Sequence, residues 1–142
     1  PQIQQVDVSL MRAAIAETDI LLLTQDEAAA LVQGDTPEEL AQNLLHLGPE
    51  LIALKMGAQG CLVANPQTML RTPAFQLPVR DTTGCGDAFN AAFVYGIISQ
   101  MPLDQIGRFA NAAGGAAVSK MGAGTGLPHR SEIEGIFAAS DL

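Results

Sequence analysis

The chain has 142 residues, 48% of them hydrophobic, so one domain of ordinary size with a real core is within reach. Seven Lys and Arg against 15 Asp and Glu give a net charge of -8, and no basic cluster exists to meet a phosphate backbone, which excludes nucleic acid as a main partner. No apolar run approaches the roughly 20 residues of a membrane helix, and no charged leader with a cleavage site opens the chain, so no membrane partner is expected.

In chain order, Val6 to Glu17 predicts a moderately amphipathic helix. Asp19 to Leu23 predicts a short buried strand. Thr24 and Glu27 have capping-box spacing ahead of a helix through Val32, which Gly34 stops. Thr36 and Glu39 form a second box, with Pro37 at the first helical position of a helix running to about Leu47. Leu51–Lys55 predicts another buried strand, and the two strands with the helices between them make a parallel crossover unit. Gly57 and Gly60 bracket a turn, and Cys61–Ala64 and Thr68–Arg71 predict strands joined by a turn at Asn65. Pro73 and Pro78 keep the next stretch extended. Helices are expected from about Gly86 to Ser99, after Pro102 through Ser119, and after Ser131, whose partner in a third capping box would be Glu134. No linker or repeat breaks the chain, which predicts a single domain over 1–142. The opening Pro1 suggests a piece of a longer polypeptide.

The most informative stretch is Asp81-Thr82-Thr83-Gly84-Cys85-Gly86-Asp87. A glycine turn that feeds a helix leaves backbone N–H groups without intrahelical partners, where the helix dipole favours negative charge. Phosphate is the usual occupant of such a site. Asp87 falls in the first turn, where a carboxylate can repel a phosphate, bind its metal, or take a proton from an attacking hydroxyl. Gly84-Cys85-Gly86 does not continue as a dinucleotide fingerprint, because Phe89 stands at the third glycine and Asp104 follows Pro102 at a helix start. Two cysteines in an acidic chain point to reduced thiols and a cytoplasmic setting. Cys85 at a helix start has no histidine placed to activate it, since His46 and His129 lie in other elements.

The Asp-Thr-x-Gly-x-Gly-Asp run resembles the signature of the ribokinase-like, phosphofructokinase-B type carbohydrate kinases, matched by Asp81, Thr82, Gly84, Gly86 and Asp87. The resemblance implies an α/β fold, a ribokinase-like layered α/β/α sandwich, of which this chain is the C-terminal, ATP-binding part. It implies ATP-dependent phosphorylation of a sugar-like hydroxyl, with Asp87 as general base and the amides of Gly84, Cys85 and Gly86 around the transferring phosphoryl group. Lys55-Met56-Gly57-Ala58-Gln59-Gly60 is similar to the family's strand-ending turn by the nucleotide, which implies ATP contacts for Lys55, Gly57 and Gly60; a plain tight turn explains the same residues. Thr24 and Glu27 stand where the family has Asn-x-x-Glu, which implies Mg²⁺ for Glu27, while Thr24 departs from the pattern and the capping box needs no ligand. Asn111 to Ala117 looks like the segment lining the adenine pocket, with Asn111 and Gly115 against the base; close helix–sheet packing is the other reading. The Gly122–Gly126 loop with Asp81 and Thr83 resembles the loop that binds a monovalent cation such as K⁺. The family's sugar-contacting half and lid, through which its members often form homodimers, are not in the sequence. A nucleotide-binding module without activity of its own is therefore the alternative. Vitamin kinases with a related glycine turn rank lower because of Asp81-Thr82, and adenosine-type acceptors stay open.

Overall fold

A computed structural model describes residues 7–124 and 126–139. Val6, Thr125 and the last three positions of the sequence reading thus lie outside the described residues. The elements run α1 (Val8–Ala16), β1 (Ile20–Thr24), α2 (Gln25–Leu31), α3 (Pro37–Leu45), β2 (Leu51–Lys55), a 3-10 turn (Gly57–Gln59), β3 (Cys61–Ala64), β4 (Met69–Thr72), α4 (Cys85–Ile98), α5 (Leu103–Val118) and α6 (Arg130–Ala139). The four strands form one sheet in the order β1-β2-β3-β4. None of the described helices is long and apolar enough to cross a membrane.

The chain divides into two compact units. The first takes in the residues up to Lys55 together with Leu62–Leu70. Here β1 and β2 pair in parallel, with Ile20 opposite Leu51 and Thr24 opposite Lys55, as a strand-helix-strand crossover requires. Ile52, Ala53 and Leu54 of β2 are fully buried, which is why that strand is a continuous apolar run. Leu40, Ala41 and Leu44 of α3 are buried at helical spacing, so this helix turns one face to the core. Both expected capping boxes form: Thr24 and Thr36 oxygens accept from the amides of Glu27 and Glu39, whose carboxylates reach back to the cap amides.

The second unit takes in Met56–Cys61 and the residues from Arg71 on. Its core is α4 against α5. Small residues of α5, Ala110, Ala112, Ala113, Ala116 and Ala117, are buried and let the helices approach closely. Phe89 stacks on Phe93 with ring centroids 6.0 Å apart, and Phe109 meets Tyr95 and Phe137, each at 5.7 Å. Most boundaries lie within one or two residues of the sequence reading, and the start of the last helix differs in a way that changes its cap. Helix α6 starts at Arg130, so Ser131 lies inside it and is not the cap. The Glu132 carboxylate accepts from the His129 amide at 2.7 Å and from the Lys120 ammonium at 2.7 Å. Glu134, the expected partner of Ser131, instead pairs with Arg130 one turn away.

Candidate active site

In the second unit, α4 begins without a side-chain cap. Its N-cap is Gly84 at φ 78°, a left-handed conformation that a Cβ disfavours. A Cβ there would also stand 2.9 Å from the Ala123 side chain. The Ala88 amide donates to the Gly84 carbonyl at 2.9 Å and so closes the first helical turn. The amides of Gly86 and Asp87 precede that bond and have no intrahelical acceptor by position. The Cys85 amide is turned back to the Thr82 carbonyl at 3.3 Å, a long bond that a better acceptor can displace.

Asp81 builds the turn that holds these amides. One carboxylate oxygen accepts from the Thr83 amide at 2.9 Å and the Thr83 hydroxyl at 2.7 Å. The other accepts from the Gly122 amide at 2.9 Å, which ties the glycine-rich loop to the start of α4. The Thr83 hydroxyl, then the Thr83 and Gly122 amides, hold the Asp81 carboxyl below its ordinary value. A carboxylate has about four acceptor positions, so three donors leave about one for a cation. The family resemblance already grouped Asp81 and Thr83 with this loop, and the Gly122 bond is the contact that joins them here.

Asp87 is exposed in the first turn of α4, and no ion pair holds it among the described residues. It stands at the edge of a cavity of about 430 Å³. The walls are mainly apolar, with Ala91, Tyr95, Leu127 and Ile133 among them, and Arg130 is the other charged residue on the lining. The Arg130 guanidinium lies 5.0 Å from the Tyr95 ring centre and pairs with Glu134 at 2.6 Å. Sequence reading missed this wall, although an α4 apolar on every side hinted at it.

In the first unit, strand register gathers two motifs that are far apart in sequence. Thr24 and Lys55 face each other at the carboxyl ends of the parallel strands β1 and β2, the end where open α/β sheets bind ligands. Glu27 Oε2 accepts from the Thr24 amide at 2.7 Å. That bond, with a smaller contribution from the Lys55 charge, pulls the Glu27 carboxyl below its ordinary 4.5. A depressed carboxylate stabilises the fold above the unfolded-state pKa, and the benefit is lost as pH falls through the folded one. Glu27→Gln is therefore expected to cost a constant stability above about pH 5 and progressively less below it. Urea midpoints of both proteins from pH 7 to pH 3 measure this; a gap that widens on acidification contradicts it.

The remaining predicted residues divide. Gly57 has φ 57° and open space where a Cβ would go, as a turn approached by a ligand would have. Gly60 is needed by the chain itself, because a Cβ there runs into the Thr72 carbonyl oxygen. Asn111 is 7% exposed, and its side-chain amide donates to the carbonyls of Thr72 at 3.0 Å and Pro73 at 3.1 Å. It clamps the extended segment after β4, so its N–H groups are spent within the protein. Gly115 packs under Leu77, 3.0 Å from where a Cβ would be. Asn111 and Gly115 thus both touch the segment that runs on from the end of β4. Cys61 is buried, its thiol donates to the Gly107 carbonyl at 3.6 Å, and burial pushes its pKa up to about 12, which leaves it inert at neutral pH.

The family model described as pfkB family carbohydrate kinase matches residues 1–130. The chain belongs to this family. An uncharacterized sugar kinase of Archaeoglobus fulgidus is 32% identical over 83% of this chain and 47% of its own length. An ATP-dependent 6-phosphofructokinase of Thermoanaerobacterium thermosaccharolyticum is 31% identical over 93% of this chain and 41% of its own. The crystal structure of a ribokinase from Thermotoga maritima superposes with a TM-score of 0.82 at 28% identity, covering 89% of this chain and 44% of that one. The pfkB chain thus has the ribokinase-like α/β fold in part, as the Asp81–Asp87 motif implied. It spans about half the length of the curated relatives it matches.

Proposed function

We propose that the chain carries the ATP-binding and proton-abstracting part of a kinase that phosphorylates a hydroxyl of a sugar or sugar-like molecule. The observation that carries this reading is the uncapped, glycine-opened start of α4 with Asp87 exposed in its first turn. The amides of Gly84, Cys85 and Gly86 hold the transferring phosphoryl group. Charge that builds on it in transfer meets fixed N–H dipoles there, usually the largest contribution to such catalysis. Asp87 takes the proton of the acceptor hydroxyl as the oxygen attacks in line with the leaving ADP oxygen. Asp81 and Thr83 set the turn, with room for a monovalent cation such as K⁺. Lys55, Gly57 and Gly60 stand on the nucleotide side, Lys55 as the counter-charge to phosphate. Asn111 and Gly115 support the adenine side through the segment they fix rather than by direct bonds.

No three His, Cys, Asp or Glu side chains converge as a metal cage among the described residues. Mg²⁺ would enter on the triphosphate, since this ion keeps its waters and takes one or two carboxylates besides phosphate. Glu27 is the carboxylate offered, and the ion would neutralise phosphate charge. The phosphofructokinase relative's name supports ATP as donor, and the names phosphofructokinase and ribokinase leave the sugar open.

A second reading, a nucleotide-binding module without turnover of its own, is favoured by the chain's span of about half its relatives and by Thr24 where the family has Asn. Calorimetry with ATP and Mg²⁺, beside a coupled ADP-release assay over a panel of hexoses and pentoses, separates the two. Binding is expected in both cases. Turnover with any sugar rejects the module, and absence of binding rejects both.

A further inference from the structure

The turn before α4 is held from two sides within its own unit. On one side the carbonyl of Val118, the last residue of α5, accepts from the amides of Arg80 at 2.7 Å and Asp81 at 3.2 Å. On the other, the Gly122 amide reaches the second Asp81 oxygen, and the next residue, Ala123, lies over Gly84. A long helix fixes the first anchor. The second has no such support. Gly122 stands at φ 81° with open space where a Cβ would be, so no side chain seats it, and a glycine has the most backbone freedom to lose.

One carboxylate supplies what this glycine lacks. The Lys120 ammonium, just ahead of Gly122, lies 2.6 Å from one Glu132 oxygen and 2.7 Å from the other. The second of these oxygens also accepts from the His129 amide at 2.7 Å. Glu132 therefore ties the residue leading into Gly122 to the first turn of α6. Pairs near the surface contribute little to stability, and these side chains are 31% and 39% exposed. The effect of the pair lies in where it holds the chain. We infer that Glu132 is a positioning residue for the phosphate turn: through Lys120 it keeps the Gly122 amide on Asp81, and with it the shape of the turn that receives the phosphate. What the turn receives rests on the kinase reading above.

The test compares the chain with two variants. Glu132→Gln keeps an oxygen for the His129 amide and removes the charge that holds Lys120. Lys120→Met breaks the pair from the other end. Amide hydrogen exchange at Gly122, followed by NMR, and calorimetry with ATP and Mg²⁺ are read on each. Both variants should speed Gly122 exchange and weaken ATP binding about three- to tenfold, the contribution of one ordinary hydrogen bond, with little change in melting temperature. They shift the net charge in opposite directions, so a loss common to both is not long-range attraction. Lys120→Arg, which keeps a cation on Glu132, should behave as the parent. So should Glu134→Gln, which breaks the Arg130 pair on the same helix. Gly122 exchange that either breaking variant leaves unchanged overturns the inference. Faster exchange with the ATP affinity of the parent overturns it too, as does a loss that Lys120→Arg or Glu134→Gln shares. Where the parent chain binds no ATP, faster exchange in both variants upholds the hold of Glu132 on the turn while the kinase reading falls.

Discussion

On the proposed kinase reading, Asp87→Asn is expected to lower kcat by ~10²–10⁴, the range a positioned general base supplies. The substitution keeps the shape and the hydrogen-bonding oxygen and removes the basicity. The first turn of α4 has no side-chain cap, so the change leaves the Gly86 amide in place for the phosphate. ATP affinity should hold or rise slightly, since a negative charge beside the phosphate site is gone. The fold should weaken by about 0.3–1 kcal/mol, because a carboxylate in the first turn is favoured by the helix dipole. The signature is therefore a kcat effect with little change in nucleotide binding or melting temperature. A kcat loss under about tenfold would sink the base assignment.

What the sequence disclosed about this protein depended on the range of the interaction involved. The bounds of β2 and β3 were legible because a buried strand is an uninterrupted apolar run. The caps at Thr24 and Thr36 were legible because each is a contact over three residues. At α6 the same rule misled. Ser131-x-x-Glu134 and His129-x-x-Glu132 both present an acid three residues on, and Lys120, from another element, decides for Glu132. The phosphate turn was legible in Gly84 and Asp87, while the bond from Gly122 to Asp81 that braces it crosses 41 residues. Asn111 shows the limit most clearly. Its surroundings of small residues suit a ligand pocket and a tight helix contact equally, and the Thr72 and Pro73 carbonyls that take its N–H groups lie 38 and more residues away and carry no sequence signal.

The largest expected loss of stability follows from Gly60→Ala. Gly60 sits at φ 93°, ψ -130°, a region that L side chains hardly enter. Its hypothetical Cβ would be driven into the Thr72 carbonyl oxygen and would lie 2.7 Å from the Ala74 nitrogen and the Pro73 carbonyl carbon. All three atoms are backbone, so no side chain can swing aside. The cost should be on the order of 3 kcal/mol or more, against a total of about 5–15 for a domain. Gly57→Ala is the matched control: φ is also positive, at 57°, but the space is open, and about 1–2 kcal/mol is expected. Thr72's carbonyl also accepts from Asn111, so the displacement that relieves the clash breaks that bond too. Gly60→Ala and Asn111→Ala should then be less than additive when combined, by about 0.5 kcal/mol or more, since each removes part of what the other needs. Urea unfolding at constant m-value measures all four variants. Equal costs for Gly57 and Gly60 would show that backbone conformation, and not the Thr72 clash, sets the requirement for glycine at position 60.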